Sequence, residues 1–277
     1  MRFTVLGSGG FRIVPRPGCS CATCADARSA GYERLGPALF LHDQNMLFDT
    51  PEDIALELNR AGIEKLEHIF YTHWHPDHVL GMRIVEQVNT VWAPDMRWMH
   101  VPKHRLVVHM PAAVHKEVME RFGVFFEFWA QRGIIEIDVL ESAVRLGSVT
   151  VDHLTIKTVH RTPTHSTVYV ISSRGKKVVY APCDIVPFPM DAAVLEDCDL
   201  MILQAGWTGD EMKLRAVHGP HYEVSMEEIM VITERYKPAR TILTHIEDGA
   251  GNTMAGLRRL ERKYNIQFAY DGMEVEV

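Results

Sequence analysis

The sequence predicts a mixed α/β fold, and three observations carry that reading. Apolar runs of strand length recur along the 277 residues and alternate with stretches of helical period. No apolar run reaches the roughly 18 residues that a membrane-spanning helix needs. His, Asp and Cys gather where strand-like runs end, and loops at strand ends commonly carry function. A chain of this length could form one large domain or two small ones. Without a repeat, a low-complexity tract or a linker, one domain over residues 1–277 is expected.

Residues 2–6, RFTVL, read as a strand running into GSGG, which is not a dinucleotide fingerprint because Arg12 stands at the third glycine position. From Gly7 to Gly36 the chain is rich in Gly, Pro and Cys and reads as a long irregular loop, a feature that usually has a function or a staple. Strands follow at 38–42 and 45–49. Thr50 and Pro51 then stand at an N-cap and first helical position, predicting a helix to about Ala61. The strand HIFYT (68–72) opens directly into HWHPDH.

Residues 89–133 are aromatic, include a helix near 112–130, and break the rhythm; they are expected to be an inserted packing element or a lid. Strands are expected near 134–138, 149–158, 167–171, 177–181 and 200–203. Ser225 with Glu228 forms a capping-box signature that opens a helix to about Tyr236. The strand TILTH, a helix over about 253–263 and a short strand close the chain.

A formal charge of −7 argues against a general nucleic-acid coat, which needs a clustered basic face. The N-terminal residues lack the basic head and apolar stretch of a secretory signal, so a cytoplasmic location is expected. The 15 histidines make metal chemistry the first thing to test. His73, His75, Asp77 and His78 fall within six residues, and burying so many ionisable groups without partners would cost several kcal/mol each. A cation removes that cost. Alternation points His73 and His75 to one side, while Asp77 and His78 can turn toward a second cation; imidazole plus carboxylate suits zinc, manganese or iron.

HWHPDH resembles the HxHxDH signature of the metallo-β-lactamase superfamily. The resemblance implies an αβ/βα four-layer sandwich of two packed mixed β-sheets with two divalent metals at one edge. It further implies that Asp184, in VVYAPCD, bridges the metals and that His245, in TILTHI, completes the second site. His160, in VHRTPTHS, takes the remaining position, with His165 as its alternative. In redox branches a Glu stands where His75 stands here, so the resemblance implies hydrolysis. A hydroxide of lowered pKa shared by the metals would attack phosphorus or carbonyl carbon, with Asp77 binding metal and orienting it. His221, with His218 as its stand-in, is the candidate acid for the leaving oxygen.

Cys19, Cys21 and Cys24 are too close in sequence to pair easily as disulfides, and CxCxxC spacing suits a tetrahedral zinc site lacking one ligand. With the sequence that follows, this motif is similar to the phosphoribosyl cyclic phosphate phosphodiesterases of phosphonate breakdown, and to the pyrroloquinoline quinone biosynthesis protein B family. In the phosphodiesterases the fourth ligand of this structural zinc is a His three positions after the last active-site His; here that position is Asp248, giving a Cys3Asp clip. The resemblance implies a homodimer acting on a small, cyclic or linear phosphate ester. Its alternatives are a ribonuclease Z-like nuclease, a lactone or thioester hydrolase, and a quinone-cofactor biosynthesis protein.

Overall fold

The structure, a computed structural model, describes residues 1–93, 100–159, 164–209, 223–249 and 251–277. The first half of the chain supplies β1 (Arg2–Gly7), β2 (Ala38–Leu41), β3 (Met46–Phe48), β4 (His68–Phe70), β5 (Thr90–Trp92), β6 (His100–Pro102), β7 (Val107–Pro111) and β8 (Glu136–Leu140). The second half supplies β9 (Val144–Leu146), β10 (Val149–Lys157), β11 (His165–Ser173), β12 (Lys176–Ala181), β13 (Leu200–Gln204), β14 (Arg240–Thr244), β15 (Gln267–Phe268) and β16 (Met273–Glu276). The helices are α1 (Ala22–Ala30), α2 (Ile54–Arg60), α3 (Pro76–Val79), α4 (Ile84–Asn89), α5 (Ala112–Gln131), α6 (Met226–Tyr236) and α7 (Met254–Tyr264).

Two seven-stranded mixed sheets form among the described residues, in the orders β16-β1-β2-β3-β4-β7-β8 and β15-β14-β13-β12-β11-β10-β9. Alternate residues of each strand separate into different apolar layers, as the two-residue period of a strand requires. Phe3, Leu39, Leu41 and Phe48 of the first sheet meet Tyr169, Ile171, Tyr180 and Ile202 of the second between the sheets. Phe40, Leu47 and Ile69 face outward onto Val114, Val118, Phe126 and Trp129 of α5, while Val170, Val179 and Leu203 face Ile229 and Ile232 of α6 and Leu257 of α7. Helix, sheet, sheet and helix thus stack as four layers.

Three local outcomes differ from the sequence reading. The stretch expected to be a long irregular loop with little secondary structure contains α1, whose N-cap is the Cys21 sulfur accepting from the Cys24 N–H, a cap that residue type does not advertise. The helix expected from Thr50 begins only at Ile54, because Thr50 is held elsewhere: its N–H donates to the His78 carbonyl (2.8 Å) and its hydroxyl shares a hydrogen bond with Tyr71 (2.9 Å). Finally, much of 89–133 is integral. β7 lies between β4 and β8 in the first sheet, pairing in parallel with both, and α5 covers that sheet's outer face. Trp129 is an interior packing residue of α5. Ser225 and Glu228 do form the expected reciprocal capping box.

Candidate metal centre

Parallel pairing of β3 with β4, and of β12, β13 and β14 with one another, brings several strand ends to a common edge. Crevices at such ends are where open α/β sheets bind ligands. Asp49 follows β3, the HWHPDH segment follows β4, Cys183 and Asp184 follow β12, and His245 follows β14. Asp49, Asp184 and His245 all take positive φ (63°, 53° and 59°). Such left-handed turns cost of order 1–3 kcal/mol for non-glycine residues and cluster at functional sites.

The side chains gather in two sets. His73, His75 and Asp184, together with Cys183, each offer one donor atom, all within 4.8 Å of one another. The Asp184 carboxylate lies 3.4 Å from His75 Nδ1 and 3.9 Å from His73 Nε2. The second set is His78, His245 and again Cys183, with the Asp77 carboxylate 3.3 Å from His245 Nε2 and 3.5 Å from His78 Nε2. The His73 and His78 rings lie 4.1 Å apart, centroid to centroid, so the two sets adjoin.

Asp49, which no sequence motif singled out, sets the orientation of both. It is fully buried and accepts from the Thr72 N–H (2.8 Å), the Thr72 hydroxyl (2.8 Å) and His78 Nδ1 (2.7 Å). With its proton given to Asp49, the Thr72 oxygen accepts from His73 Nδ1 (2.9 Å). Both imidazoles thereby keep their proton on Nδ1 and turn Nε2 inward, the arrangement in which a carboxylate fixes a metal-binding tautomer.

A cation fits these residues on two observations. His78 Nε2 is buried and has no hydrogen-bond partner, which is costly for a polar atom unless something else meets it. The electrostatics also ask for positive charge. Burial by itself would raise the Asp77 carboxyl, yet His78 and His245 overcome it and hold Asp77 well below the usual carboxylate range. Burial likewise would lower His245, and its bond to Asp77 instead pushes it up to about 9. A divalent ion bound by these groups would compete with their protons. GSGG packs against the same edge: a Cβ on Gly10 would sit 2.0 Å from Glu247 Oε1 and 3.0 Å from His245 Nδ1, so a larger residue there would displace the Glu247 carboxylate beside His245.

His165, the alternative to His160, is in neither set. Its Nδ1 is 2.7 Å from Glu117 Oε1, and the same carboxylate accepts from the Thr164 hydroxyl and the His165 N–H. His160, His218 and His221 lie outside the described residues. At the other cluster, Cys19, Cys21, Cys24 and Asp248 bring their donor atoms within 4.8 Å of one another. Arg16 donates to Cys19 Sγ (3.1 Å), which is the first cause of that thiol being lowered to about 6, while burial raises Cys24. Arg12 and Arg16 each also reach a different oxygen of Asp248, at 3.1 Å.

Two packed mixed sheets, helices on both outer faces and a donor-rich edge at the strand ends define the metallo-β-lactamase fold, a fold of metal-dependent hydrolases. The chain belongs to the beta-lactamase superfamily: the beta-lactamase superfamily domain profile matches residues 44–246. Among solved structures, a diphosphatase of the PhnP family is 23% identical with a TM-score of 0.72, covering 100% of this chain and 97% of that one. Zinc-bound PqqB from Methylobacterium extorquens is 15% identical with a TM-score of 0.78, covering both chains completely (100% and 100%). The human short-form tRNase Z is 17% identical with a TM-score of 0.64, covering 100% and 99%. These likenesses establish the fold. An octanoyltransferase of Porphyromonas gingivalis (strain ATCC BAA-308 / W83) is 33% identical over 84 residues, which are 30% of this chain and 17% of that protein. No helix of the described residues is long and apolar enough to cross a membrane.

Proposed function

We propose that the chain is a dinuclear-metal phosphodiesterase acting on a small, cyclic or linear phosphate ester. The observation that carries this reading is the pair of adjoining donor sets, His73, His75 and Asp184 beside Asp77, His78 and His245. His160 is the proposed further ligand of the first set. Two bound divalent ions, zinc, manganese or iron, supply ionised water near neutral pH and neutralise charge on phosphate oxygens. Asp184 faces the first set and Asp77 the second, so each carboxylate both binds and orders the polar groups around it. Asp77 orients the attacking oxygen, and His221 delivers a proton to the leaving oxygen. Cys19, Cys21, Cys24 and Asp248 hold a structural zinc that pins the N-terminal loop beside the His245 segment, away from the reaction. Support in kind comes from the likeness to a diphosphatase and a tRNase Z. A cytoplasmic homodimer of one domain completes the proposal.

A second reading is a lactone or thioester hydrolase, an acyl chemistry in keeping with the name of the octanoyltransferase that is alike over 84 residues, 17% of that protein. One screen separates them. Zinc- or manganese-loaded protein is offered bis(p-nitrophenyl) phosphate, cyclic nucleotides, lactones and acyl thioesters, with metal content measured on the same sample. Phosphodiester turnover with two metals at the His sets is the expected result; fast lactone or thioester turnover without it removes the phosphodiesterase reading. Fewer than two metals at those sets would point instead to a scaffold that lost its catalysis.

A further inference from the structure

We infer that Cys183 is a thiolate ligand of the metal centre and that it biases the centre toward zinc over manganese. The inference rests on the metal-centre reading proposed above and adds to it a residue outside the HxHxDH signature and the Asp and His that complete it. Among the described residues Cys183 is common to both donor sets: its sulfur lies within 4.8 Å of donor atoms of His73, His75 and Asp184, and equally of His78 and His245. It is 5% exposed, and its carbonyl accepts from the Ser166 hydroxyl (2.8 Å), which fixes the backbone immediately before Asp184.

An ordinary buried cysteine packs among apolar side chains, as Cys198 does in the layer between the second sheet and α6. Cys183 belongs to none of the three apolar clusters among the described residues. What surrounds its sulfur is imidazole and carboxylate. The independent sign that this space receives a ligand is His78 Nε2, fully buried and without a hydrogen-bond partner. Zinc bound at about 2.3 Å to sulfur and about 2.0–2.1 Å to imidazole nitrogen places tetrahedral donors roughly 3.5 Å apart. Spacings of up to 4.8 Å therefore close around an ion with contractions of about 1 Å, within reach of side-chain rotation.

The binding step balances simply. The S–H bond breaks, a sulfur–metal bond forms with the same electron pair, and the proton leaves to solvent. Thiolate is soft, so it strengthens zinc binding far more than manganese binding, whose preferred donors are oxygens.

The test uses the full chain loaded with zinc, crystallised, with zinc located by anomalous scattering. The expected result is Cys183 Sγ about 2.3 Å from a zinc at the His sets. Zinc at both sets with Sγ beyond about 3 Å from each overturns the inference while leaving the metal-centre reading standing; no zinc at either set overturns both. Cobalt(II) loading gives a second readout. The clip cysteines contribute equally to wild type, Cys183→Ser and Cys183→Ala, so a loss of near-ultraviolet thiolate-to-cobalt absorption in the variants isolates the Cys183 share. Zinc-over-manganese preference falls roughly tenfold or more in the same variants. Unchanged absorption and unchanged preference in folded variants would overturn the assignment.

Discussion

Replacing Asp49 with Asn tests the claim that one carboxylate aligns both donor sets. Asn tolerates the left-handed backbone at this position (φ 63°) about as well as Asp, so the backbone contributes little to the effect. If Asn Oδ1 keeps the Thr72 N–H, its NH2 replaces the oxygen that now accepts from the Thr72 hydroxyl and His78 Nδ1. Thr72 must then reverse its hydroxyl, and His78 must move its proton to Nε2, the atom that faces the pocket. Loss of such a supporting carboxylate typically costs 10–100-fold in metal affinity, about 1.4–2.7 kcal/mol. Asp49→Ala is the contrasting case. It leaves three buried donors without an acceptor, at about 1–3 kcal/mol each, or roughly 3–9 kcal/mol against a usual total stability of about 5–15 kcal/mol. Competition with a chromophoric chelator reads zinc affinity, and calorimetric melting reads stability. The reasoning is refuted if folded Asp49→Asn binds zinc within about twofold of wild type at both sets.

Cys24→Ser should lower bound zinc by one per chain and lower the melting temperature while the His-set metals remain, as read by metal analysis and calorimetry. His221→Ala should slow turnover of phosphodiesters with poor leaving groups far more than that of nitrophenyl esters; equal losses would remove it as the acid. Ser225→Ala deletes the acceptor of the Glu228 N–H and should destabilise by about 1 kcal/mol in urea unfolding, with metal content unchanged. Glu57 is buried, lines a cavity of about 680 Å³ and has no hydrogen-bond partner on either oxygen; burial raises its carboxyl well above 4.5. Above pH 4.5 the unfolded chain has given up that proton and the folded one has not, so stability falls as pH rises toward the folded pKa. Glu57→Gln removes this dependence, and its advantage over wild type should grow as pH rises above 4.5 toward the folded pKa in denaturant unfolding.

The candidate site was legible where its residues are contiguous or end a strand. HWHPDH places four polar groups in six residues directly after an apolar run, and Asp184 and His245 each close a strand-like run. Asp49 also follows a strand, yet FDTP reads as the approach to a helix, and nothing local shows that its partners lie 23 and 29 residues onward. Cys183 was hidden by the Asp beside it, since its relation to five donors exists only after both sheets have packed. The place of β7 within 89–133 was hidden for the same reason. VVHMP is short and both its faces are buried, so it shows no alternation, and only its parallel pairing with β4 and β8 reveals a sheet strand.

The positive-φ residues show how the fold turns these scattered signals into one site. Asp49, Asp184 and His245 stand at or just past the ends of strands, and each turns left-handed there. A residue continuing the strand would leave its side chain in the alternating pattern, directed into an apolar layer. The left-handed turn breaks that pattern and lets a polar side chain enter the crevice between strand ends. The backbone strain is modest beside the cost of burying these groups unpartnered, so the packed sheets can sustain it. Backbone preference is also consistent with Asp and His at these turns: with Asn, they are enriched several-fold among the non-glycine residues that take the left-handed region. The residues that suit the chemistry are therefore also among those that suit the turn.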